Sequence, residues 1–237
     1  MKLKSFHNSM SSNLLLSSIQ FHFHPQHHHH LNSCSPKAHQ YNSSKGSSLT
    51  AQSKLAKHEL LNLISDQDRG LKTQKNPAKR DSIINAIDAL ADLGSDTVTT
   101  GTSLSATWRL LWTTEKEQLF IIENAHLFGT QVGEVLQVID VEQKLLNNVI
   151  TFPPDGVFFV RSNIEIASPQ RVNFRFTSAV LRGKNWEIPL PPFGQGWFES
   201  VYLDDDIRVA KDIRGDYLVV DHAPYNWKDI LRLHVGK

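Results

Sequence analysis

The stretch Arg171-Val172-Asn173-Phe174-Arg175-Phe176-Thr177-Ser178-Ala179-Val180 decides the fold class. Val172, Phe174, Phe176 and Val180 fall on one face, while Arg171, Asn173, Arg175 and Thr177 fall on the other. A period of two is the mark of a strand with one buried side. Immediately upstream, Phe158, Val160, Ile164 and Ile166 alternate in the same way with Arg161, Asn163 and Glu165. Further strand candidates are 105–113, 118–124, 132–140, 145–152, 196–203, 206–211 and 216–221. Turn signals separate them, among them Pro153-Pro154-Asp155-Gly156, Gly183-Lys184-Asn185 and Arg214-Gly215-Asp216. Strands in series without intervening helices predict a mainly β protein, an antiparallel meander or barrel of about eight strands. A closed sheet of that size has an interior that either fills with side chains or holds one small ligand.

Before Trp108 the period is helical. Ser53 is placed to cap a segment with Ala56, Leu60, Leu63 and Ile64 at helical spacing, ending near Arg69-Gly70-Leu71. A second helix has Asn76 as N-cap, Pro77 at its first position and Gly94 just past its end, with Ile83, Ile84, Ile87, Leu90 and Ala91 as the buried stripe. Residues 95–106 are rich in Thr, Ser and Gly and read as a connector. The expected organisation is a leader over 1–52, two helices over 53–94, a barrel over 103–222 and a tail over 223–237.

The leader is unlike the rest. The first 58 residues contain six Lys, thirteen Ser and nine of the twelve His, but no Asp, Glu or Arg. All 24 acidic residues follow, so the body is mildly acidic although the whole chain carries +1. A Ser-rich, acid-free segment poor in apolar residues does not build a core and reads as a disordered organelle transit peptide. Leu14-Leu15-Leu16 is too short for a secretory core, and the missing Arg points to the plastid over the mitochondrion. A solvated tail without an address is the plain alternative. The run His27-His28-His29-His30 sits in this low-complexity sequence and reads as part of it, not as a metal site.

The body excludes much chemistry. Cys34, Met1 and Met10, the only sulfur-bearing residues, all lie in the leader. Disulfides, thiolate metal sites and a Cys nucleophile are therefore excluded from the body. His126, His222 and His234 have no metal-ligand spacing, and no cofactor fingerprint is present. No apolar run is long enough for a membrane-spanning helix. The dispersed basic residues argue against nucleic acid. Asp204-Asp205-Asp206 has a metal or general-base reading, but paired like charges at a strand end are ordinarily solvated. Arg214-Gly215-Asp216 reads as a glycine turn. No catalytic residue and no metal site is assigned.

Three segments carry a family resemblance. Leu104-Ser105-Ala106-Thr107-Trp108-Arg109-Leu110-Leu111-Trp112-Thr113-Thr114 resembles the first-strand motif of the plastid-lipid-associated proteins, or fibrillins. Tyr202-Leu203-Asp204-Asp205-Asp206-Ile207-Arg208-Val209, followed by Gly215-Asp216-Tyr217-Leu218-Val219-Val220, is similar to the family's closing motif. The helical opening with Leu60-Leu61-Asn62-Leu63-Ile64 and Arg69-Gly70-Leu71 matches as well, so the likeness covers nearly all of 55–222. Ala106, Trp112 and Ala210-Lys211-Asp212 depart from the usual pattern, as for a divergent branch.

The resemblance implies a lipocalin-like barrel, plastid import and a non-enzymatic, lipid-binding role at plastoglobules or thylakoid surfaces. It also implies that Arg208 lies across Trp108 to close one barrel end, a contact worth about 0.5–2 kcal/mol. Phe174, Phe176, Trp186, Trp197 and Phe198 are the candidate wall for a hydrophobic small molecule such as a prenyl lipid or carotenoid, and equally suit an ordinary core. The loop Pro189-Leu190-Pro191-Pro192-Phe193-Gly194-Gln195-Gly196-Trp197 reads as a rim or a buried crossover, and the weakly amphipathic 225–233 is compatible with an interface. The alternatives are a scaffold with a filled barrel acting through a protein partner, or an enzyme using Asp204, Asp206 or Arg175.

Overall fold

A computed structural model describes residues 43–128, 130–191 and 194–224. The expectations for the leader over 1–42, for Phe193 and for the tail over 225–237 lie outside the described residues.

Nine strands form one sheet: β1 (Ala106–Thr113), β2 (Val135–Asp140), β3 (Leu145–Phe152), β4 (Gly156–Ile166), β5 (Arg171–Gly183), β6 (Trp186–Leu190), β7 (Gln195–Leu203), β8 (Ile207–Asp212) and β9 (Tyr217–His222). Their order is β4-β3-β2-β1-β9-β8-β7-β5-β6, and β4 also pairs with β5. That last pairing closes an eight-stranded antiparallel ring, from which β6 projects. The length of β5 makes both arrangements possible. Residues 171–175 pair with β7, and residues 179–183 pair with β6, while β4 runs along the other side. Pro189 is tolerated in β6 because a strand at the margin can lack one ladder donor.

Two helices lie outside the ring. α1 (Ser43–Ile64) begins upstream of Ser53, which is thus inside the helix and not its cap. α2 (Pro77–Gly94) starts as expected: Asn76 Oδ1 accepts the Lys79 backbone N–H at 3.1 Å. Leu60, Ile64, Ile83, Ile87 and Leu90 bury against Trp112, Tyr202, Ile207, Val209, Tyr217 and Val219 on the outer faces of β1, β7, β8 and β9. The linker is pinned to β1. Gly70 has φ +111°, and a Cβ there would meet the Thr113 carbonyl at 2.2 Å, so the Arg-Gly-Leu segment needs glycine.

Two further expectations are corrected. Residues 118–124 are not a strand; α3 (Lys116–Glu123) occupies them. β1 and β2 pair only from Ala106 to Arg109, so the segment between them crosses the barrel end beyond the ladder. A helix satisfies its own backbone groups within the segment and needs no strand beside it. Val180 is the second correction. A register shift in the β4–β5 pairing places Ser178 opposite Arg161 but Phe176 opposite Ser162, leaving Thr177 as an extra residue. The alternation therefore flips, and Ala179 and Leu181 take the face that Phe174 and Phe176 occupy, opposite to Val180.

Candidate functional site

The interior of the ring is the site. Trp108 and Leu110 of β1 point into it, and a bulge before Trp112 turns that second Trp outward under the helices. One end is filled. Trp108 is 1% exposed, and its Nε1–H donates to the Leu104 carbonyl at 3.0 Å. His222 meets it edge-on, with ring centroids 5.5 Å apart. The fully buried Arg208 guanidinium lies 5.6 Å from the Trp108 ring centroid and 5.3 Å from that of Phe198.

Burial pushes the Arg208 pKa down to about 9, with Glu115 partly offsetting it. The guanidinium donates to Gln137 Oε1 and, at 3.5 Å, to Ser200 Oγ; among the described residues it forms no ion pair with a carboxylate, and Nε has no partner.

Above this filled end is a cavity of about 140 Å³, walled by Leu110, Val135, Ile150, Phe158, Leu218 and Val220. A second compartment of about 90 Å³ shares Phe176 with it and adds Phe174 and Phe198. The Phe174 and Phe176 rings stack at 5.3 Å. Three of the five aromatic residues singled out in the sequence thus line the interior. Trp186 does not: it is 46% exposed on β6, which is outside the ring. Trp197 does not either, since it precedes the inward Phe198 and the pleat turns it outward, where the Arg171 guanidinium covers its ring at 4.0 Å.

Sequence reasoning missed the polar groups of the interior. Gln137 and Asn148 are cross-strand partners on β2 and β3 and line both compartments. Their signal is a polar residue inside an apolar run, as in Val135-Leu136-Gln137-Val138-Ile139. Glu115, ahead of α3, faces the same space. Burial, aided by Asp212, lifts its carboxyl to about 7, although Arg214 and a hydrogen bond from Gln118 at 2.5 Å oppose the shift. At the mouth, Arg214 bonds Glu117 at 2.6 Å and Asp212 at 3.3 Å. It belongs to the expected turn, where Gly215 has φ +80°.

The acidic triplet lies outside the barrel. Lys57 of α1 bonds Asp204 at 2.6 Å and Asp206 at 2.7 Å. Asp204 also accepts the Asp206 and Ile207 backbone N–H groups and the Tyr202 hydroxyl. The pair is thus not simply solvated: it fastens the helical segment to the β7–β8 turn. Among the described residues, no group of His, Cys, Asp and Glu is placed to hold a metal ion.

Fold and site together define a class: a closed antiparallel barrel, buttressed outside by helices, with a small apolar cavity above an Arg–Trp plug. The chain belongs to the PAP_fibrillin family, whose profile matches residues 54–221. It is 75% identical over 174 residues to the probable plastid-lipid-associated protein 11, chloroplastic, of Arabidopsis thaliana, covering 73% of this chain and 82% of that one. It is 23% identical over 199 residues to plastid-lipid-associated protein 6, chloroplastic, of the same plant, covering 70% of this chain and 69% of that one. No solved structure matches the chain.

Proposed function

We propose that this protein is imported into the plastid and holds part of a hydrophobic small molecule in its barrel, acting without covalent chemistry at plastoglobule or thylakoid surfaces. The largely apolar cavity inside the barrel, open at its mouth, carries the reading. Family membership and the names of the two Arabidopsis relatives support the plastid and lipid association, and the acid-free leader supports import. A cavity of about 150 Å³ accepts a benzene ring, so the space here suits a ring or a chain end. The remainder of a prenyl lipid or carotenoid would extend through the mouth. Phe174, Phe176 and Phe198 are the proposed aromatic contacts; Trp108 and Arg208 are proposed as structural. Native mass spectrometry of the full chain after exposure to plastid lipid extract should show a stoichiometric apolar passenger. A protein that stays empty would favour a second reading, a scaffold acting through a protein partner. The plugged end, where Trp108, Arg208 and Phe198 fill the interior, is the feature that favours it.

A further inference from the structure

The polar groups in the cavity wall form a hydrogen-bond chain with a fixed direction. Arginine has only donors, so the amide of Gln137 must turn its oxygen toward Arg208, and Oε1 accepts from the guanidinium. That leaves Gln137 Nε2 facing β3, where it donates to Asn148 Oδ1 at 3.1 Å. The reversed Asn148 amide would set two donors against each other, so its orientation follows from the network. Asn148 Nδ2 is the end of the chain: it donates to no described residue and opens onto the cavity. It lines both compartments of the cavity. Successive hydrogen bonds polarise one another, so a buried cation at the start strengthens the donor at the end.

We infer that the cavity selects apolar ligands that carry an unprotonated oxygen acceptor, a carbonyl above all, and that Asn148 is the residue that reads it. The inference rests on the reading that the cavity holds a small molecule. A hydrocarbon in the same place leaves the Asn148 donor buried without a partner, which is the penalised state.

Acetophenone and isopropylbenzene are nearly the same shape, and differ by a carbonyl where the second has a methine and a methyl. Equilibrium dialysis of the full chain against each should show acetophenone bound about tenfold more tightly, the return on one added hydrogen bond. Asn148→Leu should abolish that preference by weakening acetophenone binding and tightening isopropylbenzene binding, because the donor that a hydrocarbon leaves unpaired is gone. Equal binding of the two probes to the wild-type protein would overturn the selectivity and leave the cavity reading standing. A folded Asn148→Leu protein that keeps the tenfold preference would overturn the assignment to Asn148. Binding of neither probe would remove the ligand-holding reading itself, and this inference with it. The wild-type comparison needs no variant, so a misfolded Asn148→Leu does not block the test.

Discussion

Removing the Trp108 ring should destabilise the protein severely. The side chain is fully buried. An aromatic residue buries about 150–250 Å², and at about 25 cal/mol per Å² the ring accounts for roughly 4–6 kcal/mol against full exposure. Alanine retains a small part of this, and partial collapse recovers more, which gives about 3–5 kcal/mol for Trp108→Ala. Two specific contacts go with the ring. The Leu104 carbonyl loses its donor, at about 1 kcal/mol, and the Arg208 cation loses one of its two aromatic faces, at about 0.5–2 kcal/mol. These push the total to the upper part of the range. Urea unfolding followed by far-UV circular dichroism is the assay. With a slope of about 2 kcal/mol per M, the midpoint should fall by about 2 M. Trp108→Phe keeps a ring but loses the indole N–H, and should fall by about half as much. A double-mutant cycle with Arg208→Met isolates the stacking contact, expected at about 0.5–2 kcal/mol. If Trp108→Ala unfolds within about 1 kcal/mol of wild type, or if the two substitutions are strictly additive, the plug is not the structural element described.

Glu115 predicts an unusual dependence on pH. Its folded carboxyl is lifted from 4.5 to about 7 by burial, so the unfolded chain ionises first as pH rises. Stability should therefore decline by about 3 kcal/mol between about pH 4.5 and 7 and then level off. Glu115→Gln should flatten this limb and exceed wild type at pH 8 in urea unfolding; parallel curves for the two proteins would rule the effect out. For Asp204, burial opposes ionisation, but the Lys57 bond and the backbone donors prevail and hold its pKa below the usual carboxylate range. The stability it contributes is present above the ordinary carboxylate pKa and lost as pH falls further. Lys57→Met should cost about 1–2 kcal/mol at pH 7 and reduce that acid loss, measured as a midpoint shift. A Cβ at Gly94 would meet the Val201 carbonyl at 2.8 Å, so Gly94→Ala should cost about 1–3 kcal/mol despite better helix propensity; a thermal melt showing stabilisation would contradict the close approach. Trp197→Ala should leave acetophenone affinity unchanged, whereas Phe176→Ala should weaken it, as read by dialysis.

Much of the fold was legible because each strand needs only its own alternation to show which side is buried. The β3 limits, 145–152, match the expected strand. β6 was hidden because Trp186-Glu187-Ile188-Pro189-Leu190 carries a proline and has no buried face to impose alternation. Residues 118–124 misled because a short apolar run suits either a helix or a strand. Of the site, the inward Phe174, Phe176 and Phe198 could be named from sequence, but Trp197 could not be separated from Phe198 without the register.

By itself the sequence determined the mainly β class, the helical preface, the acid-free leader, the absence of sulfur from the body and the likeness to the plastid-lipid-associated family. These are properties of composition and local period, which need no knowledge of distant neighbours. Only the tertiary structure decided that β4 pairs with β5 to close the ring, that a bulge sends Trp112 outward and Trp108 inward, and that Arg208, Gln137 and Asn148 form one directed chain. Each depends on register between strands far apart in sequence, and a shift of one residue turns every side chain to the opposite face.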